Sequence, residues 1–184
     1  MRKSFSRSTP PAPSRPSSAP PVFDWIDTPE RFHAFLASLP GGPVALDTEF
    51  IRENSYYAQL EIIQIAGADG RIAVVDARKT GSRAPLAALL EDPAREKIFH
   101  SASQDIEILH QFTGAAPVEV FDTQLAAAMT GHGLQTAYVN LVREIIGRRL
   151  PNTQTVSDWS RRPLTADQLL YAAQDVQYLH ALRE

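Results

Sequence analysis

The sequence has no cysteine among its 184 residues, which excludes disulfide bonds, thiolate metal sites and thiol nucleophiles. It also has no apolar run near the roughly 18 residues that a membrane helix needs. We therefore expect a soluble protein with no membrane partner. The absence of an export signal favours a cytoplasmic location.

Acidic residues are missing from residues 1–22, which are rich in Pro, Ser, Ala and Arg. Such a segment has little to bury and its prolines prevent a helix, so the sequence predicts a disordered tail followed by one folded domain over 23–184. The net charge of the whole chain is −3. An acidic body can still bind a polyanion if its carboxylates hold cations that face the phosphates.

Five short apolar segments predict strands: PVALDTEF, LEIIQIAGA, RIAVVDA, KIFH and VEVFD, with Asp69-Gly70 as a hairpin turn between the second and third. Helical spacing or start signals predict helices after Thr28, over about 84–90 and 103–112, directly after VEVFD, and over 136–147 and 164–183. This order predicts an α/β fold with a mixed five-stranded sheet flanked by helices on both faces. In such sheets, functional side chains gather where the central strands end.

Two pairs of polar residues have a spacing that places each pair on one face. Asp47 and Glu49 are two apart in a predicted strand, and Tyr171 and Asp175 are four apart in the last predicted helix. The alternatives are an exposed edge strand for the first pair and a surface tyrosine with an unrelated aspartate for the second. The apolar residues before Asp47 favour a central strand.

Asp105 and Asp122 each stand near the start of a predicted helix, where an aspartate is often a cap or complements the helix dipole. We assign that structural role to Asp122. Isolated carboxylates in apolar surroundings cost several kcal/mol or take up a proton. A cluster of four is tolerable mainly if it holds divalent cations, and such oxygen ligands suit Mg²⁺ or Mn²⁺.

Four segments together resemble the ribonuclease D family and its wider class of 3′→5′ exonucleases, which are named for four acidic residues and a tyrosine. The segments are LDTEFIRENSYYAQLEIIQIA, IFHSASQDIEIL, VFDTQLAAA and SDWSRRPLTADQLLYAAQDVQYL. The resemblance implies a ribonuclease H-like fold. It also implies that the metal-binding acids are Asp47, Glu49, Asp105 and Asp175, with Tyr171 orienting the attacking water.

The implied chemistry is hydrolysis with two divalent cations, Mg²⁺ or Mn²⁺, at the single-stranded or frayed 3′ end of an RNA, with release of nucleoside 5′-monophosphates. His100 and Gln104 border the second acid and are candidate substrate contacts, although a core or capping role for His100 is the alternative. Phe50 and Tyr57 are candidates for stacking on the terminal nucleotide. Core packing is the alternative for both aromatic residues, and it is favoured for Phe50.

Two departures from the family pattern leave rival functions open. Asn152 stands where family members often carry a lysine, and ribonuclease D proper continues into helical nucleic-acid-binding domains beyond the position of Glu184. We therefore expect this chain to bind RNA more weakly than ribonuclease D proper does. The rivals are an exonuclease of the same class that acts on DNA, and a module that binds 3′ ends without cutting them.

Overall fold

The computed structural model describes residues 20–52, 57–81, 83–150 and 158–184. The predicted tail lies outside these ranges except for residues 20–22, and Asn152 lies outside them as well.

A six-stranded sheet forms the centre of the described structure. Its strands are β1 (Phe23–Ile26), β2 (Val44–Ile51), β3 (Gln59–Gly67), β4 (Ile72–Asp76), β5 (Lys97–Phe99) and β6 (Val120–Asp122). They lie in the order β1-β4-β3-β2-β5-β6. The β2–β3 and β3–β4 pairs are antiparallel, whereas β1–β4, β2–β5 and β5–β6 are parallel. The predicted mixed α/β sheet is confirmed.

The structure adds one strand to the five that the sequence predicted. β1 has four residues and pairs with β4 in parallel, from Phe23 opposite Ile72 to Ile26 opposite Val75. Its pairing partner lies almost fifty positions further along the chain. A segment this short is stabilised as a strand by that distant partner, so local pattern alone does not identify it.

The helices are α1 (Pro29–Ser38), α2 (Ala77–Thr80), α3 (Arg83–Glu91), α4 (Ser103–Thr113), α5 (Thr123–Met129), α6 (Tyr138–Leu141), a π-helix (Val142–Ile146), α7 (Ala166–Gln177) and α8 (Leu179–Arg183). The predicted start of α1 is confirmed, because the Thr28 side chain accepts a hydrogen bond from the Arg31 amide. In the part of the chain that the structure describes, none of these helices has the length and apolar character to cross a bilayer.

Helices cover both faces of the sheet, as the sequence predicted. One hydrophobic core joins the sheet to α1, α3 and α4, and a second core on the opposite face joins it to α6, the π-helix, α7 and α8. Alternate residues of β2 divide between the two, since Val44 and Leu46 enter the first core and Ala45 enters the second. Asp47 and Glu49 continue the row that begins at Ala45.

Of the two last helices that the sequence predicted as continuous, the first changes its hydrogen-bond pattern without a break, and the second is interrupted. The predicted helix over 136–147 is α6 followed by the π-helix, and the predicted helix over 164–183 breaks at Tyr178 between α7 and α8. The break at Tyr178 has a tertiary cause, because the side chain of Tyr138 contacts the backbone there.

Candidate active site

Strand β2 carries the first two acids of the candidate site. It pairs with β3 along its whole length but with β5 only at Val44 and Ala45. In the described sheet, the far half of β2 is therefore open on the β5 side. A register shift between Glu49 and Phe50 interrupts the β2–β3 ladder. Such bulges bend a strand and redirect its side chains, and they are frequent next to active sites.

Helix α7 brings the third acid to the same face. A complete capping box starts this helix, in which Thr165 and Gln168 satisfy each other's backbone amides. Ala172 and Ala173 are fully buried in the core against the sheet, so the helix packs closely on the strands. One ligand oxygen each from Asp47, Glu49 and Asp175 lies within 4.8 Å of the others. The predicted convergence of these three acids is therefore present.

Tyr171 lies one turn before Asp175 on α7. The two side chains interact electrostatically, since the Asp175 carboxylate raises the pKa of the Tyr171 phenol and the phenol lowers the pKa of the Asp175 carboxyl. The ring of Trp159 lies beside it, with 6.3 Å between ring centroids. Tyr171 is half-buried, so part of this residue is accessible to a ligand.

Asp105 approaches from the opposite face of the sheet. It lies in the first turn of α4, and its carboxylate accepts a hydrogen bond of 2.5 Å from the Thr48 hydroxyl. The turn before α4 is fixed by Asp122, whose carboxylate accepts the backbone amides of Ser101 and Ala102 at 3.0 and 2.9 Å. Asp122 also caps α5, so its predicted structural role is confirmed.

Asp105 is not one of the three acids whose oxygens converge, but it is electrostatically part of the cluster. Its negative charge raises the pKa of Asp47 and that of Glu49. The structure thus has three converging carboxylates and a fourth, held by Thr48, beside them. The sequence did not predict the contact with Thr48, because it depends on how α4 docks beside β2.

Burial raises the pKa of all four carboxyl groups. It raises the pKa of Glu49 to about 9 and that of Asp175 to about 8. The pKa of Asp47 is also raised well above its usual range, first by burial and then by the charges of the other three acids. The pKa of Asp105 reaches about 6, because burial is opposed by the hydrogen bond from Thr48. A bound cation would favour the ionised form of each group.

Two side chains, one of them directly opposite Asp47, have buried polar atoms without a described hydrogen-bond partner. Gln64 is opposite Asp47 in the β2–β3 register, is fully buried, and has neither amide atom hydrogen-bonded. Nε2 of His100 is likewise buried and without a hydrogen bond. The sequence analysis missed Gln64. Its one available signal was a polar residue in the otherwise apolar IIQIA segment.

The four candidate substrate-contacting residues differ in how far they are exposed to solvent. Gln104 is exposed in the first turn of α4, and Tyr57 is 65% exposed. Phe50 is partly buried against the first core, which is the alternative role stated for it. The His100 ring contacts the Tyr138 ring edge-on, and its Nδ1 lies 2.9 Å from the Thr123 hydroxyl. Substrate contact by these four residues stays a prediction.

An ion-pair network holds the segment before α7 to the sheet. Nε of Arg162 donates to Asp76 at 2.6 Å, and its Nη2 lies 3.3 Å from a Glu61 carboxylate oxygen. Both carboxylates are almost completely buried. Nη1 of Arg162 also donates to the Trp159 carbonyl at 2.6 Å, so the network fixes the residue whose ring lies beside Tyr171.

The donor set suits a hard divalent cation. Mg²⁺ binds oxygen ligands at about 2.0–2.1 Å, which places neighbouring ligand oxygens about 3 Å apart. Oxygens already within 4.8 Å of one another need only a small closing of the side chains to reach that spacing. Burial, clustering and an all-oxygen donor set are together the chemistry of a Mg²⁺ or Mn²⁺ site.

A fold of this kind with a cluster of acids is characteristic of nucleases, and the comparison with known sequences agrees with that class. The chain matches the 3′-5′ exonuclease family over residues 23–184 and belongs to that family. The resemblance stated from the four sequence segments is thereby confirmed.

More particularly, the chain is similar to proteins named Ribonuclease D. The one from Acidiphilium cryptum is 43% identical over 176 residues, which are 95% of this chain and 43% of that protein. The crystal structure of Escherichia coli RNase D, described as an exoribonuclease involved in structured RNA processing, has a TM-score of 0.80 and 34% identity. The matched region covers 88% of this chain and 43% of the Escherichia coli chain. The chain thus spans less than half the length of these relatives.

A structure of Brucella melitensis NrnC with bound Mg²⁺ is also similar. Its TM-score is 0.66 and its identity 31%, over 76% of this chain and 69% of the other.

Proposed function

We propose that this chain is a 3′→5′ exoribonuclease that requires divalent cations and releases nucleoside 5′-monophosphates. The observation that carries the proposal is the convergence of carboxylate oxygens from Asp47, Glu49 and Asp175 within 4.8 Å in a half-buried site. The similarity to Escherichia coli RNase D supports RNA as the substrate.

The ion site would be formed by Asp47, Glu49 and Asp175, with Asp105 completing a second position beside Asp47. The Mg²⁺ bound to the similar NrnC supports this assignment. When bound, such cations supply a water of lowered pKa and stabilise the leaving oxygen. The reaction forms a bond between the water oxygen and the terminal phosphorus and breaks the bond from that phosphorus to the 3′ oxygen.

Tyr171 would act on the attacking water. Its hydroxyl is already beside Asp175, and burial, together with the charge of that carboxylate, keeps its pKa raised, so the phenol retains its proton. A protonated phenol can donate to a phosphate oxygen or orient a water by hydrogen bonding. Asp105, held by Thr48, would remain ionised at lower pH than the other acids.

Two rivals make different predictions. A DNA exonuclease of the same class would use the same acids, and the 2′-hydroxyl is the group that distinguishes the substrates. A module that only binds 3′ ends would bind cations and RNA without releasing mononucleotides.

The deciding experiment incubates 5′-end-labelled single strands of RNA and DNA of one sequence with Mn²⁺ or Mg²⁺. We expect a ladder of RNA shortened from the 3′ end, with nucleoside 5′-monophosphates as products. Asp47→Ala should abolish it, while Asp69→Ala, in an exposed turn, should not. Equal cleavage of both strands would remove RNA preference, and binding without shortening would favour the binding module.

A further inference from the structure

The C-terminal helix breaks close to one of the proposed ion ligands. Helix α7 ends at Gln177 and α8 begins at Leu179, and Tyr178 between them has φ −113° and ψ 4°. Asp175 thus lies in the last turn before the break. The orientation of that turn decides where its carboxylate points.

The hydroxyl of Tyr138 is inserted at this break. It donates to the carbonyl of Gln174 at 2.8 Å and accepts the amide N–H of Tyr178 at 3.1 Å. In a continuous α-helix these two backbone groups would bond to each other, because each N–H pairs with the carbonyl four residues before it. A side chain inserted into that ladder is an established cause of a helix bend. The Tyr138 hydroxyl therefore replaces one helical hydrogen bond, because it satisfies both the carbonyl and the N–H that would have formed it.

Tyr138 is held firmly enough to impose this bend. It begins α6, is 9% exposed and packs in the core that joins α7 and α8 to the sheet. Its ring contacts that of His100, with 5.7 Å between centroids, and His100 is in turn fixed by Thr123. Burial raises the pKa of the Tyr138 phenol well above its usual range, and the charges of Asp175 and Asp47 raise it further, so the hydroxyl keeps the proton that it donates.

We propose that Tyr138 is a positioning residue, whose hydroxyl sets the bend that directs Asp175 toward Asp47 and Glu49. The inference rests on the proposed function, because it concerns the ion site assigned there. Without the hydroxyl, Tyr178 N–H and Gln174 C=O can close their own helical bond. The α7–α8 junction at Tyr178 then becomes helical. The resulting shift of the last turn of α7 moves the Asp175 carboxylate away from the other two acids.

The test is Tyr138→Phe, which removes one oxygen and keeps the ring. Loss of groups that orient metal ligands typically weakens metal binding by about 10–100-fold, and we expect at least a tenfold rise in the Mn²⁺ dissociation constant measured by calorimetry. The Mn²⁺ concentration for half-maximal cleavage should rise in parallel, while kcat at saturating Mn²⁺ stays within a few-fold. In EDTA, the variant should unfold cooperatively near the wild-type temperature, because the helix regains a backbone bond.

Tyr178→Phe is the matched control. It removes a tyrosine hydroxyl at the same break but keeps the backbone N–H of residue 178, which donates a hydrogen bond to Tyr138. It should bind Mn²⁺ as the wild type does. Wild-type Mn²⁺ affinity in Tyr138→Phe would overturn the positioning role. A Tyr138→Phe protein that fails to fold in EDTA would overturn it as well. A wild-type protein that binds no Mn²⁺ would instead overturn the proposed function, so the two failures are distinguishable.

Discussion

Divalent cations should stabilise this protein by an amount that grows with pH. Carboxylate oxygens within 4.8 Å of one another repel by about 3.5 kcal/mol per ionised pair at an effective dielectric constant near 20. The protein avoids that cost by keeping protons on the cluster, as the pKa of about 9 for Glu49 and about 8 for Asp175 indicate. A cation removes the need for those protons.

The sign of the pH effect follows from the direction of the shifts. Between the ordinary carboxyl pKa near 4 and the raised values in the folded state, the folded protein binds protons that the unfolded chain has lost. The free energy of unfolding without cations therefore falls as pH rises, by about 1.4 kcal/mol per pH unit for each such group. The loss continues until pH passes the folded-state pKa, near 8 for Asp175 and 9 for Glu49.

Thermal unfolding at pH 5.5 and pH 8.5, in EDTA and in Mg²⁺ or Mn²⁺, measures both effects. A hundredfold excess of ion over its Kd contributes about 2.7 kcal/mol. For a domain of this size that corresponds to a rise in Tm of about 5–11 °C. The rise should be larger at pH 8.5 than at a matched ion concentration at pH 5.5, because protons compete with the ion.

Asp175→Asn gives the decisive comparison. It removes one charge from the cluster, so the Tm in EDTA at pH 8.5 should exceed that of the wild type, while the response to Mg²⁺ should be lost. Sodium chloride at equal ionic strength controls for general screening. A wild-type Tm that neither ion moves at either pH would refute the reasoning.

Three further substitutions, with Arg52→Ala as a control, test other parts of the protein. Tyr171→Phe should slow RNA cleavage by about 10²–10⁴-fold if the hydroxyl acts on the water, with Mn²⁺ affinity unchanged by calorimetry. Gln64→Leu should raise the free energy of unfolding in EDTA by about 1–3 kcal/mol in urea titrations, because a buried amide without partners is replaced by an apolar group; an unchanged value would mean that the amide is satisfied. Arg162→Ala should cost about 3–5 kcal/mol because two buried carboxylates each lose an ion-pair partner, although Arg78 still pairs with Glu61. Arg52→Ala, which breaks an exposed pair, should cost at most about 1 kcal/mol, and equal losses in the two variants would contradict this account.

Local signals predicted those parts of the fold that local physics controls. The Thr28 cap is confirmed because a cap is satisfied by amides two or three residues away, and the capping box at Thr165 forms for the same reason. The turn at Asp69-Gly70 is confirmed because Gly70 takes a φ of 81°, which glycine adopts at little cost. β1 and the break at Tyr178 were not predicted, since each depends on a partner forty or more positions away.

The sequence by itself determined which acids exist, that Asp47 and Glu49 share a strand face, and that Tyr171 and Asp175 share a helix face. Those facts follow from the periods of strands and helices. Only the tertiary structure decided that three carboxylates converge within 4.8 Å while Asp105 is held beside them by Thr48. It also decided that Tyr138 bends the helix next to Asp175. These arrangements join residues far apart in the chain, and packing of helices on the sheet, rather than any local preference, brings them together.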